Sequence, residues 1–346
     1  MKNTSDIWLM PDYYPDFQCK ADKCRHTCCY GWQIPVSFKE YNSLIGMECS
    51  KDLHEKIQVA FAQPKMVTEE AYRYISFDWQ GHCKLLKNGL CSLYSEKGPQ
   101  ALPKICNFFP RSLKQINEQK LACCSSSCER VVEMLYERDF LHMIRGELKD
   151  DPNIHVSISE DDVKKIIHYQ DVLKDRSTSL VESLQTICLE VNEAAFSKDY
   201  EEENDPVILA LDLLDRLSEE QSFLNEIYEE VNERYRHDVR LYEADRKAFE
   251  QEYPNWQVFF ENILNNSLLF ENFPFVDSRF DDTDAYKGLC ASYGLLRILA
   301  VGYTRRHNDQ QSLIDAVAAL FHLIDHSPFY YNAHVLVRNG AAFLKL

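Results

Sequence analysis

Thirteen cysteines stand in this 346-residue sequence, and eleven of them fall between Cys19 and Cys128. In the segment FQCKADKCRHTCCYGW, Cys19, Cys24, Cys28 and Cys29 follow one another with four, three and zero intervening residues. Such spacing lets a single loop or helical turn deliver several sulfurs to one centre. It is neither the paired CxxC knuckles of a zinc ribbon nor the CxxxCxxC loop of radical enzymes, since Gly31 occupies the place of the third cysteine. Neighbouring side chains project differently along most backbones, so Cys28 and Cys29 are not expected to serve one ion through one simple turn. Downstream stand Cys83, Cys91 and Cys106, then Cys123, Cys124 and Cys128. The leading ligand candidates are Cys19, Cys24, Cys28, Cys29, Cys83, Cys91, Cys106 and Cys128, enough for one cluster with a zinc or for two clusters, because most sites take about four ligands. Thiolate-rich sites suit iron–sulfur clusters and zinc alike. Cys49, Cys188 and Cys290 lie in amphipathic helical patterns and read as small core hydrophobes. His26 and His82 adjoin cysteines but read as solvated loop residues.

In a reducing compartment, cysteines at this density signify metal ligation rather than a disulfide framework. The opening MKNTSDIWLMPDYYPDF has no apolar stretch of signal-peptide character, so a cytoplasmic location is expected. No apolar run approaches the roughly eighteen residues of a spanning helix, and no membrane association is expected. A net charge of −17 repels phosphates, which argues against nucleic acid as a partner. With 45% hydrophobic and 27% charged residues, the composition is that of a globular protein of one large or two ordinary domains.

The elements that must position the cysteines follow from local patterns. The expected fold is mainly α: a cysteine-rich metal-binding region with short β-hairpins over residues 1–150, then an α-helical domain over 151–346. Ser37 opens a helix over SFKEYNSLIGM, KDLHEKIQVAFA forms a second, and YRYISFDW reads as a strand. In CKLLKNGLCSLY the Asn88-Gly89 pair predicts a two-residue hairpin turn pairing Lys87 with Leu90 and Leu86 with Cys91. A continued ladder would set Cys83 and Cys91 on opposite faces, so one metal can take both only if the ladder ends or bulges before Cys83. Pro110 should end the helix before it and turn Arg111 back toward the cysteine region; an ordinary surface salt bridge is the plainer reading of that arginine. Beyond Cys128 the pattern is helical almost throughout. Ser159 and Asp162 form a capping box, and helices are expected at 177–198, 206–230 and 232–252 and over four later apolar-periodic stretches. The acidic stretch EEENDP reads as a solvated loop.

Four motifs, FQCKADKCRHTCCYGWQI, CKLLKNGLCSLY, CNFFPR and SSSCE, resemble in order and spacing those of the flagellin lysine-N-methylases. NNSLLFENFPF and YGLLRILAVGY resemble the same family, so the likeness spans most of the chain. The resemblance implies N-methylation of lysine side chains on flagellin, with S-adenosylmethionine as methyl donor and an associated iron–sulfur cluster, [4Fe–4S] in the first instance and zinc as the alternative. Carried over residue by residue, it implies the eight-cysteine set above as metal ligands and Arg111 as a cofactor contact, leaving Cys123 and Cys124 outside. It names no catalytic residue. The segment HLIDHSPFYYNAHV departs from the arginine and Glu-His-Asn element of the family, so no role is carried over to His326.

With ten glycines and no glycine-rich loop after a strand, a dinucleotide-type cradle for the methyl donor is not expected. Amine methylation also calls for a base or a desolvating site to neutralise the lysine. Two other readings compete: a metal-chelating or redox module without transferase activity, and an adaptor that uses its helical half to hold a partner. Binding of S-adenosylmethionine separates the first reading from both.

Overall fold

The computed structural model describes residues 7–32, 34–116, 118–148, 154–156, 158–218, 222–275 and 282–346. The boundary expected near residue 150 lies outside them. The chain divides into two compact units, Gln18–Phe109 and a larger one of Met1–Phe17 with Pro110–Leu346. This differs from a division into 1–150 and 151–346, and strand pairing is the cause. The strand Ile7–Pro11 runs parallel to Gln119–Cys124 on one side and antiparallel to Met143–Glu147 on the other. Arg111–Ile116 then pairs antiparallel with Gln119–Cys124, and Ile154–His155 adds a parallel edge. These strands make a mixed five-stranded sheet within the larger unit, so the stretch after Cys128 is less continuously helical than its pattern suggests.

Helices form the rest of the larger unit, and the fold is mainly α as expected. Ser159 and Asp162 do form a capping box, opening Glu160–Leu173. Ser179 and Glu182 form another before Leu180–Glu201. The expected helix 206–230 is instead two, Pro206–Leu217 and Phe223–Tyr235. At the centre runs Ala285–His307, buried from Tyr286 to Thr304 save Lys287. A helix apolar on all sides needs neighbours on all sides. One of them comes so close that a Cβ on Gly288 would lie 2.6 Å from the Tyr330 ring.

The smaller unit has its own core. Ser37 caps Phe38–Ile45 through a capping box with Glu40, and Ser50 caps Lys51–Val59. Pro35–Val36, Arg73–Ile75 and Phe61–Ala62 form a small antiparallel sheet. The strand read from YRYISFDW is thus only three residues long. Val36, Leu53, Ile57 and Leu93 are buried between these pieces.

Candidate functional site

The thiols of the smaller unit are placed by the hairpin. Asn88 (φ 52°) and Gly89 (φ 79°) both adopt left-handed backbone, as a two-residue primed turn requires. Leu86 pairs with Cys91 and Lys87 with Leu90, the predicted register. The ladder stops there, because Leu86 N donates to Cys83 O at 2.8 Å and turns the chain. Cys83 is thereby released from the alternation that would have faced it away from Cys91. Its own N–H donates to Cys29 O at 2.9 Å, tying the first cysteine segment to the hairpin. Cys29, Cys83, Cys91 and Cys106 consequently join one apolar cluster.

Their ionisation is shifted mainly by burial, with smaller effects of one thiol on another. Burial pushes the Cys83 thiol up to about 12, with charge on Cys29 and Cys91 adding to the effect. Burial raises Cys91 and then Cys29 does. Cys106 goes well above its ordinary value by burial, then by charge on Cys29, Cys83 and Cys91. Cys29 moves the other way, to about 7, chiefly because the Cys28 thiol hydrogen-bonds to its sulfur. The two adjacent cysteines therefore meet through a hydrogen bond. Three buried thiols kept protonated beside a fourth, Cys29, that ionises more readily make a donor set a cation would reward, since binding it offsets the cost of burying their thiolates. Among the described residues no three His, Cys, Asp or Glu side chains are grouped closely enough to hold a metal ion.

The other cysteines lie elsewhere. Cys19 and Cys28 are exposed and Cys24 is part-exposed. Cys19 and Cys24 flank the short turn Ala21–Lys23, and Cys28 O accepts from the Trp32 indole at 2.7 Å. Cys128 precedes the helix Glu129–Tyr136 in the larger unit, where its charge acts on Cys124. Cys188 and Cys290 are buried there with sulfurs 3.4 Å apart. Pro110 does follow the end of a short helix, Lys104–Phe108, yet Arg111 opens a strand. It pairs with Cys124, and its guanidinium lies 4.9 Å from the Phe17 ring centre. His82 packs edge-on against Tyr30, consistent with a loop histidine.

A second centre, which sequence reasoning missed, lies in the larger unit. The helix Trp256–Glu271 buries Asn262, Asn265, Asn266 and Ser267 together. Asn266 accepts from Tyr13 OH at 2.6 Å and donates to Cys124 O and Ser126 Oγ, each at 2.9 Å. That lock sets the segment Ser125–Ser127 beside the end of the helix Gln310–His326. Asp325 Oδ2 there accepts from Ser125 Oγ at 2.5 Å and Ser126 N at 2.9 Å. Ser127 Oγ and His326 Nε2 are 2.9 Å apart. Lys114, 3% exposed, donates to Leu269 O and Asn272 Oδ1 at 2.9 Å and to Phe270 O. Burial, with charge on Asp325, lifts Glu271 to about 8. Burial lifts Asp325 to about 7 against the pull of the serines and Lys114, depresses Lys114 and takes His326 down to about 3.

Comparison with known proteins matches residues 157–335 to the family described as "FliB lysine N-methylase C-terminal domain". That span is more than half of the chain. The chain belongs to the FliB lysine N-methylase family. It is a protein-lysine N-methyltransferase, in keeping with the resemblance read from its motifs. Residues 18–129 are similar to a second family, described as "CxxCxxCC: Putative zinc- or iron-chelating domain". Among curated proteins and among solved structures nothing matches. No helix of the described residues is long and apolar enough to cross a membrane. Asp325, Glu271 and the asparagines all fall within the lysine N-methylase span. The one sequence signal for them was NNSLLF, three consecutive polar residues where a buried helix should be apolar.

Proposed function

We propose that the chain methylates lysine side chains of flagellin in the cytoplasm, taking the methyl group from S-adenosylmethionine, and carries a thiolate-bound iron–sulfur cluster. The lysine N-methylase match over 157–335 carries the transferase reading. The four coupled thiols of the smaller unit support the metal. Cys29, Cys83, Cys91 and Cys106 would hold it, and a four-thiolate set suits [4Fe–4S], with zinc as the alternative. Cys19, Cys24 and Cys28, on the segment leading into Cys29, are the candidates for a second site. Cys128, in the other unit, is not needed for the first. We assign Arg111 to contact with the methyl donor, supported by its part-exposed guanidinium over Phe17, a posture that leaves its N–H edges for a carboxylate.

The test is anaerobic purification, metal analysis and an absorption spectrum, then titration with S-adenosylmethionine and mass spectrometry of flagellin. Brown protein that binds the donor and methylates flagellin supports the proposal. Colourless protein with stoichiometric zinc overturns the iron assignment and leaves the thiol site standing. Cys106→Ser should abolish transfer while the larger unit stays helical; full transfer by a metal-free variant would break the link between metal and activity. The likeness of residues 18–129 to a chelating domain favours one second reading, a metal-binding module without transfer, and absence of donor binding would select it.

A further inference from the structure

A lysine side chain is an ammonium ion near neutral pH, and an ammonium has no lone pair with which to attack a methyl group. A carboxylate can accept its proton if it is held still, not engaged in an ion pair, and reachable. Several carboxylates of the larger unit are already engaged. Glu261 is paired with Arg176, Asp245 with Arg234 and Glu250 with Arg297. Asp199 is filled by Tyr286 OH and Gly340 N.

Asp325 differs. Its Oδ2 is anchored by Ser125 and Ser126, whereas Oδ1 is buried and, among the described residues, has no hydrogen-bond partner. Buried acceptors are nearly always satisfied, so an empty one calls for a donor that arrives from outside. The groups around it do not supply that donor. Lys114 Nζ is committed to Leu269 O, Phe270 O and Asn272 Oδ1. His326 Nε2 engages Ser127 Oγ. Tyr330 OH is shared with Ser267 and Ser292. Glu271, His322 and Cys123 complete the titratable surroundings and bring no fixed cation. Asp325, His326, Phe270 and Glu271 each keep some solvent exposure, so the centre lies close to the surface.

We propose that Asp325 takes the proton from the target lysine, Oδ1 receiving it while Oδ2 stays fixed by Ser125 and Ser126. The assignment rests on the methyl-transfer reading above. The proton passes from the lysine Nζ to Oδ1, and the freed lone pair forms the N–C bond to the sulfonium methyl. The C–S bond breaks with its electrons returning to sulfur, which leaves as a neutral thioether. The product is a methylated ammonium, and the carboxyl proton is lost to solvent before the next turn. Burial, which sets Asp325 at about 7, makes it an effective base just above neutrality.

The experiment measures kcat for flagellin methylation from pH 6 to 9, with S-adenosylmethionine binding by calorimetry, for the wild-type full chain, D325N and S125A. The wild type should gain rate through a midpoint about pH 7. D325N should bind the donor as before and lose about 100-fold or more in kcat, the usual scale of a positioned base. S125A removes a hydrogen bond that holds the carboxylate down, so its midpoint should move upward, which a purely structural role would not produce. Wild-type rate and profile in D325N overturn the proposal. If D325N does not fold, S125A decides, and an unmoved midpoint overturns it. A wild-type protein that transfers no methyl group overturns the methyl-transfer reading and this one together, an outcome distinct from the other two.

Discussion

Zinc added to metal-free protein at pH 7 should displace about three and a half protons per ion, because the four thiols start from different ionisation states. Cys83, at about 12, is wholly protonated there, as are Cys91 and Cys106, which burial raises above the ordinary thiol value. Cys29, at about 7, is half ionised under its hydrogen bond from Cys28. All four must become thiolates to ligate. Each displaced proton makes affinity rise about tenfold per pH unit, so affinity should climb roughly 3,000-fold per unit near neutrality. At pH 9 the Cys29 proton has already gone and release should fall to about three. Calorimetry under anaerobic conditions, in two buffers of different ionisation heat, counts the protons directly. Cys83→Ser should release about one fewer and bind more weakly. Release of about two protons or fewer at pH 7, or unchanged zinc affinity in Cys83→Ser, would refute the four-thiol set.

Cys188→Ser and Cys290→Ser should keep the full metal content, since both thiols are buried against each other in the larger unit; metal loss in a folded variant would show that the site reaches beyond the smaller unit. Asn266→Ala strands the buried Cys124 carbonyl and the Ser126 hydroxyl and removes the acceptor of Tyr13, so urea denaturation should show a loss of about 2–4 kcal/mol, and a loss below about 1 kcal/mol would count against the lock. Asp325 and Glu271 have folded values above those of free carboxyls. The folded chain therefore keeps protons that the unfolded chain has released, and their contribution to stability should fall as pH rises from about 4 to about 8. Asp325→Asn should flatten that fall, and an identical pH dependence in the variant would contradict the burial of this carboxyl.

The thiol centre was legible because its determinants are local. Asn88-Gly89 fixes a turn by backbone sterics alone, and the turn fixes which cysteine faces which. Cys83 and Cys91 can converge only where the ladder ends before Cys83, and the Cys83–Leu86 turn ends it there. The division into units was not legible, because it depends on Ile7–Pro11 crossing to strands more than a hundred residues away. No local pattern announces a pairing whose cost is loop closure and whose gain is burial far along the chain. Cys128 and Arg111 lie in the cysteine-rich stretch, yet the chain path takes them into the larger unit.

The acid centre was hidden for a different reason. Ser125, Glu271 and Asp325 are each unremarkable in sequence, and only their shared burial gives them chemistry. The effect of that burial can be put on a scale. Transfer of a proton from a free lysine, near 10.4, to a free aspartate, near 3.9, is uphill by about six and a half orders of magnitude. With Asp325 at about 7, the gap closes to about three and a half orders. The remainder must come from the lysine, and Lys114 shows the direction of the effect at this place. Its ammonium has three acceptors, yet burial still lowers it. A target lysine entering the same surroundings would be shifted the same way, so desolvation raises the acid and lowers the ammonium at once. A site that only attracted the ammonium, with an ionised and well-solvated carboxylate, would hold the substrate in its unreactive form. Asn266, on the buried polar face of its helix, is consistent with that requirement, because it holds the Cys124 carbonyl and Ser126 beside Asp325 through neutral hydrogen bonds and adds no charge of its own.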